Sequence, residues 1–330
     1  ADLGKQKEKS FNQDSLVIGL YRPFCKNHLY FNRDLVNDVA LIPKYFPSQS
    51  SDNRVICVTG VGSNKDFSVL IANKLPELHT VSTGQCFPLY LYETINSHTD
   101  NDLFNTAGQE PVLKRREAIT NEGLAHFHKA YPAEEISKED IFYYVYGILH
   151  SEDYKTRFAD NLTKELPRIP CVKKAKDFWT FSKAGRSLAE LHINYETVAP
   201  YPVEYEEGKL AIQMLNNEDY RVKEMKFAKG KDGEKYDKTK IIYNSKITMK
   251  GIPQEAYEYV VNGKPALEWV MERQAVTTHK DSGIVNDAND WAIETMGNAK
   301  YPLELFQRVI TVSLETMKVV NTLPSLDIKG

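Results

Sequence analysis

Residues 137–170 read SKEDIFYYVYGILHSEDYKTRFADNLTKELPRIP. Ser137 with Asp140 has the form of a capping box, in which a side chain at each end satisfies backbone N–H groups that a helix start leaves open. Ile141, Val145, Ile148 and Leu149 then recur at helical spacing. Ser151 can cap a second helix, whose Tyr154, Phe158 and Leu162 form one stripe while Lys155, Arg157 and Lys164 lie on other faces. Pro167, which lacks an N–H, ends it. The stretch predicts two consecutive helices, aromatic on one side and basic on the other.

Strand-like and helical zones alternate around this pair. From Ser15 to about Tyr92, the runs SLVIGLYR, HLYF, RVICVTG, FSVLIA and CFPLYLY are rich in β-branched and aromatic residues and are punctuated by Pro, Asn, Ser and Gly. Residues 93–111 are polar and read as an exposed, mobile loop. The texture is helical from about Val112 to Tyr195, with Phe181, Ala184, Leu188 and Leu191 marking one face of the last segment. YRVKEMKFAK and TKIIYNSKITMKG flank KGKDGEKYDK, the pattern of a hairpin with a long tip. Beyond it Pro253, Pro265 and Pro302 are placed to start helices, and Asn262-Gly263 to break one. This order predicts an α+β fold, not a wound parallel sheet. Four regions are expected: a β-rich subdomain over 1–110, a helical subdomain over 111–195, a basic β-hairpin region over 196–250 and a C-terminal helical subdomain over 251–330.

Composition narrows the function classes. At 330 residues, 42% hydrophobic and 26% charged, the chain is long enough for a substantial core. A net charge of −3 means that an anion-binding face must come from local clustering. No apolar run approaches the roughly 18–20 residues of a membrane span, and the polar amino end lacks the apolar core of a secretory signal. The missing initiator Met fits an excised fragment, or processing. Cys25, Cys57, Cys86 and Cys171 are too dispersed for a zinc site and read as reduced thiols of a cytoplasmic protein.

Catalytic signatures are missing. Gly60-Val61-Gly62-Ser63-Asn64-Lys65 lacks the GK[ST] order of a phosphate loop and reads as a tight turn. Neither an aromatic-flanked Asn-Pro-Pro nor a glycine-rich methyl-donor turn occurs. His126 and His128 point in different directions on a helix and are poor co-ligands, and the other histidines read as satisfied or solvated. The chain is expected to catalyse nothing alone and to hold no metal or cofactor.

Positive charge gathers in three places. Residues 221–250 hold ten cations against four acids, a local +6. Period-2 alternation would put Arg221, Lys223 and Met225 on one face of a strand and Val222, Glu224 and Lys226 on the other, with Lys229 and Lys231 following toward the tip. Lys240, Ile242, Asn244 and Lys246 would share one side of the next strand. A two-stranded ribbon fits the major groove, where Asn can pair with adenine and Arg or Lys with guanine; the alternative is a solvated hairpin that touches nothing. Residues 155–176 carry a local +5 that includes Lys173 and Lys174, suited to phosphate positioning. Lys114, Arg115 and Arg116 form a third cluster.

The opening stretch resembles the C-terminal specificity domain of Type I single-polypeptide restriction–modification enzymes. So do YRPFCKNHLYFNRDL, RVICVTGVGSNKDFSVLIANKLPELHTVSTGQCFPLYLYE, FWTFSKAGRSLAELHINYETV, IIYNSKITMKGIPQEAYEYVVNGKPALEWVMER and KDSGIVNDANDW, in that order, over residues 15–325. The IPQEAYEYVVNGKPALEWVMER segment is also similar to fused Type II restriction–methyltransferase proteins. The resemblance implies a domain that recognises a short asymmetric site in double-stranded DNA, with the upstream methyltransferase gripping the site from the opposite side. The parent would carry nuclease, helicase-like motor and adenine methyltransferase domains and use S-adenosylmethionine, ATP and Mg. Lys44, Arg54, Asn64 and Lys65, in or beside turns, are further DNA-contact candidates. Two other readings stay open: a structural coupler that braces the methyltransferase and motor, and a nucleotide-using enzyme built around Gly60–Lys65.

Overall fold

The computed structural model describes residues 10–32, 35–36, 39–95, 112–231 and 233–329. Strands β1 (Leu16–Arg22) and β2 (Cys25–Tyr30) form an antiparallel hairpin. Its tight turn holds Phe24 at φ 57°, a left-handed conformation that a bulky side chain rarely adopts. The fully buried Phe24 ring, edge-on to Tyr195 at 5.3 Å and to Tyr259 at 6.2 Å, supplies the packing that retains it. After the single turn α1 (Ile42–Tyr45) come β3 (Val55–Val58) and β4 (Val69–Ala72); β5 (Leu75–Pro76) joins β1 in parallel, and β6 (Gln85–Pro88) pairs with the free edge of β3. Strands β7 (Tyr90–Ile95) and β8 (Val112–Glu117) pair over six residues.

The β4-β3-β6 sheet separates two hydrophobic cores. Val55, Cys57, Leu70 and Ala72 face one; Ile56, Val58, Val69 and Ile71 face the other. A strand buried on both faces reads as a continuous apolar run, which is why VICV and VLIA show no alternation.

The second core is completed by α2 (Asn121–Ala130), α3 (Lys138–Ile148), α4 (Glu152–Arg157), α5 (Ala159–Leu162) and α6 (Ala175–Ile193). The capping box at Ser137 and Asp140 is formed as expected, and Ser151 caps α4. The second predicted helix is not continuous. At Phe158 the backbone leaves helical geometry (φ −111°), which divides it into α4 and α5, and it ends at Leu162, well before Pro167. The exit segment that follows is held by tyrosine hydroxyls, which donate from Tyr154 to the Arg168 carbonyl (2.8 Å), from Tyr144 to Pro170 (2.6 Å) and from Tyr131 to Val172 (2.5 Å). The buried aromatics of this region therefore satisfy a stretch of backbone that has no sheet partner over 168–171.

Helices α3 and α6 touch backbone to backbone. A Cβ on Gly147 would lie 2.1 Å from the Phe181 carbonyl oxygen, and one on Gly185 1.9 Å from that of Tyr143. The buried side of α6 is accordingly Phe178, Phe181, Ser182, Gly185, Leu188, Ala189 and His192, whereas Ala184 and Leu191 sit at its margins. The glycine contact rotates the helix away from the purely apolar face expected from spacing.

The C-terminal half begins with β9 (Glu204–Tyr205) and α7 (Lys209–Gln213) and continues through β10 (Lys226–Lys229), β11 (Tyr236–Ile242) and β12 (Thr248–Lys250). These strands form an antiparallel sheet in the order β10-β11-β12-β9. Pro253 starts only a single 3-10 turn (Gln254–Tyr257), and Asn262-Gly263, both at positive φ, is the hairpin turn of β13 (Val260–Val261) and β14 (Lys264–Pro265). Helix α8 (Ala266–Arg273) follows Pro265 as expected. The hairpin β15 (Val276–Thr278) and β16 (Val285–Asp287), missed in the sequence, leads through α9 (Ala288–Asp290) and a π-turn (Trp291–Thr295) to the long α10 (Tyr301–Asn321). The architecture is α+β, with β-sheets first and helices in the centre and at the C-terminal end.

Buried histidines lie where α6 meets α10. His192 bonds the Tyr146 hydroxyl through Nδ1 (2.6 Å) and Thr316 Oγ1 through Nε2 (2.8 Å), and His150 Nδ1 donates to the Tyr146 carbonyl (2.8 Å). Burial, then Lys155, pulls His150 down to about 3, and burial followed by His150 holds His192 well below the ordinary value. Both stay neutral in the folded state but charge below about pH 6.5 when unfolded. Their depressed folded values make stability fall as pH drops from about 6.5. Each histidine is expected to remove up to about 2 kcal/mol between pH 7.5 and 5. Urea midpoints at the two pH values check this; equal midpoints in the native chain would show that the histidines are charged in the folded state.

Candidate nucleic-acid interface

The predicted hairpin is present as β10–β11, but it is shorter than the pattern suggested. Residues 221–225 are not strand, because the buried Asn289 amide takes the backbone of Val222 on both sides, accepting from its N–H (2.9 Å) and donating to its carbonyl (2.8 Å). Val222 and Met225 are both buried, so they do not fall on the opposite faces expected from alternation. The regular strand assumed through Lys246 also breaks. Residues 243–247 are a turn, closed by Tyr243 and Asn244 N–H groups donating to the Ile247 carbonyl at 3.0 and 3.3 Å.

Asn244 holds that turn. Its Nδ2 donates to the Asp219 and Arg221 carbonyls (2.8 and 3.1 Å), and its Oδ1 accepts from Lys246 N–H (2.8 Å). Base pairing through both ends of this amide would require breaking those bonds. At the hairpin tip Gly230 N–H donates to the Lys235 carbonyl, and a Cβ on Gly230 would meet the Glu234 carbonyl oxygen at 2.2 Å. The chain therefore turns tightly there, presenting Lys229, Lys231 and Lys235.

Ion pairing divides the cations of this zone. Toward the base, Lys240 meets Glu206 at 2.6 Å, Lys246 meets Asp219 at 2.5 Å, Lys238 meets Glu268 at 3.0 Å, and Arg221 contacts Asp287. The Lys246 bond, then the Asn216 N–H, holds the Asp219 carboxyl below its ordinary range, and Lys240 does the same for Glu206. Lys226 meets Glu224 at 2.8 Å, an exposed pair of little net strength. Among the described residues Lys223, Lys229 and Lys231 form no ion pair. These lysines thus lie at the tip and rim free of direct ion pairs, although Glu234 and Asp237 belong to the same segment and Lys231 is close enough to act on Asp237.

An open groove of about 820 Å³ runs between this hairpin and α8, lined by Lys223, Lys226, Phe227, Tyr236 and Lys264 among others. Lys264, which the sequence reading did not single out, lies over the Trp269 ring at 4.4 Å. Burial, with Arg273 and Lys65 nearby and Glu268 opposing, pulls its ammonium below the ordinary lysine value. Lys65, distant in sequence, is thereby brought to the same neighbourhood. Lys264 directly follows the Asn262-Gly263 turn, and its ammonium contacts Glu272. The groove is mixed in charge, since Glu224, Glu268 and Glu272 also line it.

The remaining expected residues lie elsewhere. Arg54 is turned inward, with one guanidinium nitrogen on the Tyr143 hydroxyl and another 2.7 Å from Glu190. Asn64 is exposed in a β3–β4 turn, and Lys44 is on α1. No helix follows Gly60–Lys65, so the strand–loop–helix that a phosphate loop requires is missing, and the close approach of Gly60 to Thr83 makes this a structural turn. Lys114, Arg115 and Arg116 are on β8, which corrects the helical assignment from Val112; helix begins only at Asn121, behind the Thr120 cap. Arg115 stacks over Tyr90 at 4.2 Å, and Arg116 meets Glu93 at 2.6 Å. Residues 93–95 belong to β7, and the rest of the expected loop, 96–111, lies outside the described residues. Lys173 pairs with Asp327 at 2.8 Å, and Lys174 precedes α6. Among the described residues no cluster of His, Cys, Asp and Glu could hold a metal ion, and no helix is long and apolar enough to cross a membrane. The cysteines are free, with the sulfurs of Cys57 and Cys86 3.6 Å apart across β3 and β6.

The family model of the Type ISP C-terminal specificity domain matches residues 1–307. The chain belongs to that family. The specificity domain is similar in structure to the ATP-dependent Type ISP restriction–modification enzyme LlaBIII bound to DNA, with 34% identity and a TM-score of 0.81 over 99% of this chain and 19% of that one. A nuclease-deletion mutant of the Type ISP enzyme LlaGI, in complex with a DNA substrate mimic, gives 34% identity and a TM-score of 0.78 over 99% of this chain and 22% of that one. The DrdV–DNA complex gives 31% identity and a TM-score of 0.78 over 98% and 30%. The specificity domain thus spans a fifth to a third of the length of these solved chains. No curated protein matches it.

Proposed function

We propose that this specificity domain binds duplex DNA and contributes sequence recognition to a Type ISP restriction–modification enzyme. It would direct adenine methylation and ATP-dependent translocation and cleavage by upstream domains that use S-adenosylmethionine, ATP and Mg, in the cytoplasm. The observation that supports this most strongly is the alignment of nearly the whole chain, at 34% identity, with an enzyme solved on DNA. The unpaired lysines at the tip of the β10–β11 hairpin agree with it. Lys223, Lys229 and Lys231 would contact phosphates, which position a duplex without reading it, and Lys226 and Lys264 would join them by leaving Glu224 and Glu272.

Replacing Lys226, Lys229 and Lys231 together by glutamine is expected to weaken binding on every duplex sequence. It should also reduce the slope of log affinity against log salt by about 1 for each phosphate that is no longer neutralised. Fluorescence anisotropy at several salt concentrations measures both. An unchanged slope would remove this surface from the interface.

A bracing role toward the upstream domains is favoured by α7, where Leu210 and Met214 are 77% and 83% exposed. That reading predicts no duplex affinity at low salt, with retained binding to the methyltransferase and motor.

A further inference from the structure

Cys57 on β3 and Cys86 on β6 stand directly opposite each other in the antiparallel register, and their sulfurs share a hydrogen bond at 3.6 Å. Opposed residues in such a ladder alternate between bonded and non-bonded pairs, and side chains approach more closely in the non-bonded ones. Continuing the register by one step places Arg54 opposite Leu89, and the Leu89 N–H donates to the Arg54 carbonyl at 2.7 Å. Arg54–Leu89 is therefore a bonded pair, and three steps along the ladder Cys57–Cys86 is a non-bonded one. The Cys86 carbonyl accordingly points away from β3, where it accepts from the Tyr45 hydroxyl at 3.4 Å. Non-bonded pairs hold their Cα atoms about 4.5 Å apart, inside the range of roughly 4.4–6.8 Å that a disulfide spans. Both side chains are on the same face of the sheet, against the first core. Side-chain rotation has to bring the sulfurs only about 1.5 Å closer to reach bonding distance.

The two thiols differ in access. Cys57 is 1% exposed in the centre of the sheet, whereas Cys86 is partly exposed on its edge strand. Their shared hydrogen bond lowers the Cys86 thiol below its ordinary value, against its burial; the same bond, then burial, holds Cys57 well above. Cys86 is thus the sulfur that a solvent-borne oxidant meets first, with a protonated thiol directly behind it.

We infer that Cys57 and Cys86 are a dithiol site for hydrogen peroxide, which converts them to a reversible cross-strand disulfide that fastens the edge strand β6 to β3. The Cys86 sulfur attacks one peroxide oxygen, the O–O bond breaks, and the departing hydroxide leaves as water with the thiol proton. The Cys57 sulfur then attacks the Cys86 sulfenic acid: the S–S bond forms, the S–O bond breaks, and the Cys57 proton leaves with that oxygen as a second water. Two thiols are oxidised and one peroxide is reduced to two waters. The link encloses residues 58–85, which include β4, β5 and the Gly60–Lys65 turn.

The test treats the full chain with hydrogen peroxide, blocks remaining thiols with N-ethylmaleimide and reads a trypsin digest by mass spectrometry. Peptides 55–65 and 75–114, which carry Cys57 and Cys86, are expected to appear joined and to separate on reduction. Hydrogen exchange across β6 should slow about fivefold or more and Tm should rise by about 3–6 °C, both reverting with dithiothreitol. In Cys57→Ala the sulfenic acid has no thiol to close on, so dimedone should label Cys86 there and not in the native chain. In Cys86→Ser it should leave Cys57 unlabelled. Should either variant misfold, the peptide linkage in the native chain still decides. Peptides that stay separate overturn the site, whether both thiols remain reduced or Cys86 passes on to sulfinic acid. So does a Cys86–Cys86 link between two chains. Linkage with unchanged exchange across β6 overturns the fastening. No nucleic acid enters this test, so its failure leaves the DNA reading standing.

Discussion

Replacing Gly185 by alanine is expected to destabilise the protein by roughly 3–5 kcal/mol and to lower Tm by about 4–7 °C. The new methyl carbon would lie 1.9 Å from the Tyr143 carbonyl oxygen and 2.9 Å from the Gly147 nitrogen. These are backbone atoms of α3 and cannot turn away as a side chain could, so relief requires the two helices to move apart by more than about 1 Å. Separation would also stretch the Ser182 hydroxyl bond to the Asp140 carbonyl (2.9 Å) and the Arg186 contacts to Glu139 and Asp140 (both 2.8 Å). Alanine is the better helix former by about 1 kcal/mol, which offsets only part of the loss. Gly147→Ala should behave alike, its Cβ meeting the Phe181 carbonyl oxygen at 2.1 Å. The double variant should cost less than the sum, because one separation relieves both clashes. Thermal unfolding of the three variants tests the argument. A native Tm in Gly185→Ala would mean that the helices are not in backbone contact.

Asn53→Ala should cost roughly 3 kcal/mol and loosen the β7–β8 ribbon that carries Lys114, Arg115 and Arg116. The Asn53 amide is buried and fully used. Nδ2 donates to the Tyr45 and Tyr90 carbonyls (both 2.9 Å), and Oδ1 accepts from the N–H groups of Arg54 (2.9 Å) and Tyr90 (3.0 Å). Alanine would leave the Tyr45 carbonyl and both Tyr90 backbone groups without these partners. Hydrogen exchange across 90–95 and 112–117 reads the local effect. Faster exchange there, with slow exchange retained in α3 and α6, is the expected pattern; equal protection in both proteins would contradict the anchoring role.

Local signals in the chain accounted for the helix starts and many of the turns. Ser137 with Asp140, Ser151, Pro265 and Pro302 act at the positions expected of them, because a cap or a missing N–H works over a single turn and needs no distant partner. Strand limits were less legible. VLKRRE carries so much charge that it reads as helix, and it becomes β8 through six backbone pairings with YLYETI. YRVKE alternates like a strand, yet Asn289, more than sixty residues away, takes its backbone out of the ladder.

The interface shows the same division. Which residues carry positive charge, and that they crowd between 221 and 250, is a property of composition alone. Which of those charges remain without a direct ion pair is not, because an ion pair depends on what the fold places within 4 Å. Glu206 and Glu268 approach Lys240 and Lys238 from other parts of the chain, whereas Lys223, Lys229 and Lys231 meet no such partner among the described residues. Gly185, Asn53 and Cys86 look unremarkable in their local contexts. Their roles exist only after segments far apart in sequence have packed together, since a close approach, a buried amide and a thiol pair are each defined by neighbours that the local sequence does not name.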